Sequence, residues 1–182
     1  MKRIIILMFS AIFAMTLITG CESKSQEAAT EKQEEKEEVK FLDFSKEPLN
    51  KENATEVLKK VLGEDTNLEV SINNGDVKIV ILRELQGEKQ FVTYSSLNFI
   101  SACKELFKNK DVKNVQFIVN SNIVNKEGTK EQIQAIEYKL SKAKYNEIDW
   151  ASIEEDLANN PKAVYDVIDS AMIDETILSK LK

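Results

Sequence analysis

Apolar residues recur with the period of a helix between Asn53 and Gly63, at positions 57, 58, 61 and 62. This spacing places them on one side of a helix and leaves the lysines and glutamates on the other side. Asn53 is a suitable N-cap and Gly63 a suitable residue just beyond the C-terminus. The pattern therefore predicts a first, short helix over this segment.

A second helical pattern follows a polar loop at residues 86–89. Ser95 or Ser96 can cap this helix, which runs to about Lys108. Its apolar residues share one broad face, as expected for a helix that packs on a sheet. Cys103 lies near the middle of that face, so we expect its thiol to be buried and unreactive.

Between these helices the spacing of apolar residues changes from the helical period of 3.6 residues to the strand period of 2 residues. Leu68, Val70 and Ile72 alternate with polar residues, and Asn74-Gly75 separates this run from the apolar run 77–82. Asn-Gly favours the type I′ turn of a tight hairpin, because both turn residues need positive φ. The second run is apolar on both faces near its end, which indicates a central strand of the sheet.

A second pair of strand-like runs covers residues 115–124 and 133–140, with a turn at 125–128. The apolar register shifts between Ala135 and Ile136, which predicts a bulge or a twist there.

The remaining residues are predicted to be helical. Lys139–Ile148 is expected to form a short, partly helical link, and Asp149 can cap a helix that carries Ile153 and Leu157, with Trp150 beside it. Pro161 can start a last helix whose apolar face continues to the end of the chain. We therefore expect an α+β fold with about four mainly antiparallel strands, formed by two hairpins joined through a helix. Helices would cover one face, and the C-terminus would be helical.

The amino-terminal segment has a different character. Lys2 and Arg3 precede an uncharged, mainly apolar run of about 15 residues, which ends in Ile18-Thr-Gly-Cys21. The run is short for a membrane span, which needs about 20 residues. Residues 18–21 resemble the lipobox of bacterial lipoproteins, and the resemblance implies cleavage before Cys21 and a diacylglyceryl thioether on its sulfur. Two acyl chains hold a protein stably at a membrane, whereas one chain does not.

This interpretation divides the chain into three parts. Residues 1–20 would be the lipoprotein signal peptide, 21–40 the lipidated cysteine with a flexible charged linker, and 41–182 one α+β domain. The protein would then be anchored by lipid to the cell membrane and would face outward. The formal charge of −6 would become −8 once the cations Lys2 and Arg3 leave with the leader. So acidic a chain is a poor candidate for binding nucleic acid.

The segment Val115–Trp150 resembles small lipoproteins of Gram-positive bacteria. The resemblance rests on a strand, a turn with glycine at Asn125–Gly128, a further strand, a basic-rich link and the tripeptide Ile148-Asp-Trp150. It implies a class of protein and no assigned activity.

The amino-acid composition excludes several classes of catalytic and metal-binding site. The chain has no histidine, which removes Ser-His and Cys-His nucleophile pairs, the HExxH zinc helix and the usual metal and haem ligands. With Cys21 lipidated, Cys103 would be the single remaining thiol, so neither a disulfide framework nor a cysteine-rich zinc site can form. No catalytic residue, metal ligand or cofactor is predicted.

Two weaker patterns could carry chemistry. Ser101 and Lys104 match the Ser-x-x-Lys dyad of penicillin-binding enzymes, but the partner motifs are missing. Neighbouring acids occur at 154–156, at 166 with 169 and at 174–175, where we expect solvated helix faces.

The main hypothesis is therefore a membrane-anchored, non-enzymatic binding or accessory lipoprotein with an unidentified protein partner. One alternative is an immunity, exclusion or inhibitor lipoprotein that uses its acidic surface against a basic partner. The other is a small cell-envelope hydrolase that works through carboxylates.

The lipid anchor can be tested by metabolic labelling with an alkyne fatty acid. Cys21→Ala is expected to abolish the label and to leave the uncleaved precursor, whereas Cys103→Ala should retain the label. An unlabelled wild-type protein would contradict the assignment of residues 18–21.

Overall fold

This computed structural model describes residues 43–124 and 128–181, which form five helices and five strands. The leader, Cys21 and the linker therefore lie outside the described residues, as do positions 125–127 of the predicted turn. In chain order the elements are α1 Lys51–Leu62, β1 Leu68–Asn73, β2 Asp76–Leu82, α2 Glu88–Leu106, β3 Asn114–Val124, β4 Lys130–Ser141, α3 Lys142–Tyr145, α4 Trp150–Asp156, β5 Ser170–Ile173 and α5 Glu175–Leu178.

The five strands form one sheet in the order β1-β2-β3-β4-β5. Three neighbouring pairs are antiparallel, and β2 with β3 is parallel. A parallel pair needs a crossover connection, and α2 provides it between the two hairpins. The predicted α+β class, the two hairpins joined by a helix and the central position of β2 are confirmed; the sheet has one strand more than expected.

The first hairpin turns at Asn74 and Gly75, whose φ angles are 51° and 93°. Both values are positive, as a type I′ turn requires. Gly75 has a second reason to be glycine, since a Cβ at this position would lie 2.6 Å from the carbonyl oxygen of Asp111. The turn is thus packed against the chain that leads into β3.

The bulge expected at Ala135-Ile136 lies in the second hairpin. Val119 pairs with Ile136 and Asn120 pairs with Gln134, so Ala135 is the extra residue of β4. Ala135 and Ile136 are both fully buried. The extra residue allows two consecutive apolar side chains to reach the core.

The first helix begins earlier than predicted. Asn50 is the N-cap, because its side-chain oxygen accepts a hydrogen bond from the N–H of Asn53 at 2.9 Å. Asn53 instead donates its side-chain amide to the carbonyl of Pro48, at 3.0 Å. The helix ends at Gly63 as expected, with φ of 104°.

The second helix also begins earlier, at Glu88, so the prediction that Ser95 or Ser96 caps it is wrong. Both serines are fully buried inside the helix. Ser95 donates its hydroxyl to the carbonyl of Phe91 at 2.7 Å, and the hydroxyl of Ser96 bonds that of Tyr138 at 3.0 Å. Because these partners satisfy the hydroxyl groups, the helix can continue through them.

The C-terminal region departs most from expectation. A continuous helix from Pro161 is wrong, because residues 161–169 form turns and bends and β5 follows at Ser170–Ile173. Strand β5 pairs with the edge of β4, where Ala171 lies opposite Tyr138 and Ile173 opposite Ile136. Backbone pairing with this edge replaces the helical bonds. Helical structure returns only in α5, whereas Asp149 caps α4 as predicted.

The core lies between the helices and one face of the sheet. Phe99 of α2 contacts Phe117 of β3 and Tyr138 of β4, with ring centroids 6.0 and 5.1 Å apart. Cys103 has no exposed surface, and burial raises the pKa of its thiol well above the ordinary value. Its predicted burial is confirmed.

A buried hydroxyl chain fixes the irregular segment after α4 to this core. Tyr138 is fully buried, and its hydroxyl contacts that of Ser96 and donates to that of Tyr165 at 3.3 Å. Burial raises the pKa of Tyr138 to about 12, so its hydroxyl stays protonated and available as a donor. The chain connects α2, β4 and residues 161–169.

Gly75 is constrained both by its positive φ angle and by its close approach to Asp111. A matched pair of substitutions separates these two effects. Gly75→Ala is expected to lower the free energy of unfolding by about 3 kcal/mol, from the positive φ and the contact with Asp111. Gly87→Ala should lower it by about 1 kcal/mol, since its φ is also positive but nothing lies within 4 Å of the added Cβ. Urea denaturation measures both, and equal losses would contradict a packing role for Gly75.

Candidate functional site

The face of the sheet opposite α1 and α2, which we call the open face, is the candidate site. Residues of β2 show the division: Val77, Ile79 and Ile81 are buried under the helices, whereas Asp76 and Lys78 are exposed. The other strands continue the alternation, because the register places outward residues side by side.

An apolar row crosses the open face. Val80 of β2, Ile118 of β3, Glu137 of β4 and Met172 of β5 lie opposite one another in neighbouring strands. We call such a line of paired residues across the sheet a register row; of these four residues, all but Glu137 are apolar. Ile118 is only 5% exposed although it is not part of the core cluster, so its neighbours on the open face bury it. Met172 is 39% exposed. The row combines a covered centre with an accessible end.

Glu137 organises the polar groups around this row. Its carboxylate accepts hydrogen bonds from the side-chain amides of Gln116 and Gln134, both at 2.8 Å, and from the ammonium of Lys139 at 2.7 Å. The bond from Lys139 is the main reason that the pKa of Glu137 lies below its ordinary value, and the two amides add to it. With all these donors the carboxylate is a fixed anion. No feature of the sequence pointed to it, because its donors come from two strands and from both sides of the bulge.

A groove of about 400 Å³ lies beside this cluster, at the end of the sheet where β2 and β3 begin. The lining includes lysine and glutamine side chains, two carboxylates and two small polar side chains. Strand residues whose side chains point into the core also line the groove. The outward lining residues are Asp76, Lys78, Asn114, Gln116, Lys139, Ser141 and Asp169.

The two carboxylates of the groove are each bound to the protein. Asp76 accepts a hydrogen bond from the side-chain amide of Asn114 at 2.6 Å, and Asp169 accepts one from the backbone N–H of Ser141. Asp76, Asn114 and Ser141 share a register row, so the backbones at its two ends are about 10 Å apart, two strand spacings. Carboxylates that share a proton need to lie much closer, so this arrangement gives no support to such a pair.

The residues of the Ser-x-x-Lys pattern have other partners. The ammonium of Lys104 contacts both carboxylate oxygens of Glu154, at 2.7 and 2.8 Å, which ties α2 to α4. Ser141 and Lys144 have the same spacing as Ser101 and Lys104. Here the Ser141 hydroxyl accepts a hydrogen bond from the backbone N–H of Lys144 and caps α3. Lys104 and Ser141 thus take part in connections within the fold.

The acidic groups singled out in the sequence also differ in role. Glu154 forms the ion pair with Lys104, and Asp174 caps α5 through the N–H of Thr176. Asp169 lies in the groove of the open face, where sequence reasoning did not place it. Over residues 43–124 and 128–181, no three acidic or cysteine side chains are grouped closely enough to hold a metal ion.

The residues that carried the lipoprotein resemblance have structural contacts where they are described. Trp150 is buried, stacks on Tyr145 with centroids 5.3 Å apart and donates its indole N–H to the Tyr145 carbonyl at 3.0 Å. Gly128 has φ of 81° at the end of the β3–β4 turn. Cys21 lies outside the described residues.

Comparison with known proteins finds no matching family model, curated protein or solved structure. Among the helices of the described part, none has the length and apolar character needed to span a bilayer.

The hydrogen bonds of Glu137 predict a pH-dependent contribution to stability. Because folding lowers its pKa below the ordinary 4.5, the stabilisation is complete above pH 4.5 and is lost as the pH falls through the folded-state value. Glu137→Gln should therefore lower the free energy of unfolding by about 1–2 kcal/mol at pH 7.

The difference between this variant and the wild type should shrink below pH 4.5 in urea melts. Glu131→Gln is the control, because Glu131 is an exposed residue of the same strand. A loss for Glu137→Gln that stays constant between pH 7 and pH 3 would contradict the role of the charge.

Proposed function

We propose that the protein is a non-enzymatic, lipid-anchored lipoprotein of the outer surface of the cell membrane, whose open face binds a partner protein. The observation that carries the proposal is that the helices of the described residues cover one face of the sheet and leave the other to solvent. That open face presents the row Val80–Ile118–Met172 beside a groove of about 400 Å³. The lipid anchor rests on the sequence of residues 1–21 alone.

The make-up of the open face favours a protein as the partner. Met172 at 39% and Leu82 at 37% exposure are accessible apolar side chains. Lys78 and Lys139 lie in the register row next to Val80, Ile118 and Met172, and Asp76 lies one outward row further, so both signs of charge flank one side of the apolar row. An apolar centre with a polar rim is the usual composition of a protein interface. Nucleic acid would require an excess of cations, whereas the chain has a net charge of −6.

Rigidity is the second support. The donors from Gln116, Gln134 and Lys139 hold Glu137, and Asn114 holds Asp76, before any partner arrives. Groups that are already ordered lose less conformational entropy on binding. The face is therefore built to bind without rearrangement.

An inhibitor or immunity role is compatible with the same face, since the acidic net charge would attract a basic partner. The identity of the partner would separate this role from a general accessory role. A carboxylate hydrolase would need Asp76 and Asp169 to act on one bond, and each of them already accepts a hydrogen bond from the protein.

Site-specific photocrosslinking in intact cells tests the proposal. A benzophenone amino acid at position 172 or 82, on the open face, is expected to give the same discrete adduct. The same probe at Glu52, an exposed residue of α1, should not give it. The added substitution Val80→Lys should reduce the adduct about tenfold, because an unpaired charge in an interface costs more than 1.4 kcal/mol.

Limited proteolysis of the wild type and of the Val80→Lys variant, compared side by side, verifies that the variant is folded. An equally strong adduct from position 52, or an adduct yield that Val80→Lys does not reduce, would overturn the open face as the binding surface. Loss of envelope-degrading activity in an Asp76→Asn, Asp169→Asn double variant would instead favour the hydrolase.

A further inference from the structure

Arg83 occupies a defined position at the end of β2, on the helix side of the sheet. Its backbone N–H donates to the carbonyl of Asn120 at 3.0 Å, which continues the pairing of β2 with β3 by one residue. Its side chain lines a pocket of about 170 Å³ with Phe91 and Tyr94 of α2. Glu84, Gln86 and Gln90 complete the lining.

The guanidinium of Arg83 has no hydrogen-bonding or ion-pairing partner among residues 43–124 and 128–181, in contrast to several lysines of that part. The neighbouring carboxylate of Glu84 instead accepts a hydrogen bond from the side-chain amide of Asn122, at 3.3 Å. Partial burial lowers the pKa of Arg83, and the nearby Tyr94 hydroxyl only offsets this effect in part. An arginine that is partly removed from water without an ion-pairing partner is costly, since buried charges are normally paired.

The pocket also offers apolar contact. Phe91 is 3% exposed and forms its buried wall, whereas Tyr94 is 54% exposed and stands at its edge. A volume of about 170 Å³ resembles that of cavities that hold one benzene molecule. A ligand of that size would contact the guanidinium and both rings.

We propose that this pocket binds a small monocarboxylate, with its carboxylate on the Arg83 guanidinium and its apolar body against Phe91 and Tyr94. The guanidinium presents a planar pair of N–H donors that matches a carboxylate in a bidentate arrangement. The site lies on the helix side of the sheet, so it is separate from the open face and from the partner proposed there.

The charges around the pocket select a carboxylate over a phosphate. Among the described residues that line the pocket, Arg83 is the single cation and Glu84 is an anion. A phosphate dianion would meet that anion with only one cation to balance two charges, whereas a monocarboxylate is neutralised by one guanidinium. The net charge of −6 on the chain also repels a dianion more strongly than a monoanion.

Amide chemical shifts of the ¹⁵N-labelled protein, titrated with benzoate, test the inference. Benzoate is expected to cause saturable shifts confined to residues 83–94. Benzamide has the same shape without the charge, and phenyl phosphate carries a second charge; both should bind at least tenfold more weakly. Equal binding of benzamide would show a merely apolar pocket, and stronger binding of phenyl phosphate would show a phosphate site; either result overturns the proposal.

Substitution of the arginine supplies the second test. Arg83→Gln should weaken benzoate binding at least tenfold, and Arg83→Lys should weaken it less, because the charge remains but the paired donors are lost. Lys110→Gln is the control, since this exposed lysine lies beyond the opposite end of α2 and should leave binding unchanged. A preserved amide spectrum outside residues 83–94 shows that each variant is folded.

Two results would overturn the inference directly. One is benzoate affinity that Arg83→Gln leaves unchanged, and the other is the absence of saturable shifts in the wild-type protein at millimolar benzoate.

Discussion

The parallel pairing of β2 with β3 is the constraint on which the rest of the structure depends. Parallel neighbours cannot be joined by a tight turn, so the chain between them must cross one face of the sheet. The 19-residue helix α2 makes this crossing and brings Phe99 onto Phe117 and Tyr138. Once α2 occupies that face, the most favourable place for α1 and the C-terminal segments is beside it, because apolar surface is already exposed there.

Covering one face alone has consequences for the outward residues. The outer rows of the sheet must meet water, so they carry lysine, glutamine and aspartate. The short apolar row through Ile118 is the exception, and the side chains next to it cover its centre. The same asymmetry separates the two candidate sites: the groove and Glu137 lie on the open face, and Arg83 lies under α2 at the edge of the core. A protein-binding face and a small-ligand pocket can thus coexist without sharing residues.

Polar groups inside the core hold the irregular part of the chain. Tyr138 links Ser96 to Tyr165, and Asn109 donates its side-chain amide to the carbonyls of Phe44 and Glu47, at 3.0 and 2.9 Å. These bonds attach segments without regular structure, at both ends of the described chain, to elements that have it. Burial makes each of them expensive to break without replacement.

The sequence by itself determined the features that depend on neighbouring residues. These are the Asn74-Gly75 turn, the alternation of β1 and β2, the bulge at Ala135 and the burial of Cys103, all of which follow from local φ preferences or from hydrophobic period. Tertiary structure decided the features whose partners are distant in the chain. The sequence pattern favours Ser95 or Ser96 as a helix cap, whereas Ser96 in fact bonds Tyr138, which is distant in the chain. Residues 170–173 form a strand because they pair with the edge of β4. The lining of the groove and the unpaired Arg83 belong to the same class, since both arise where separate elements meet in space.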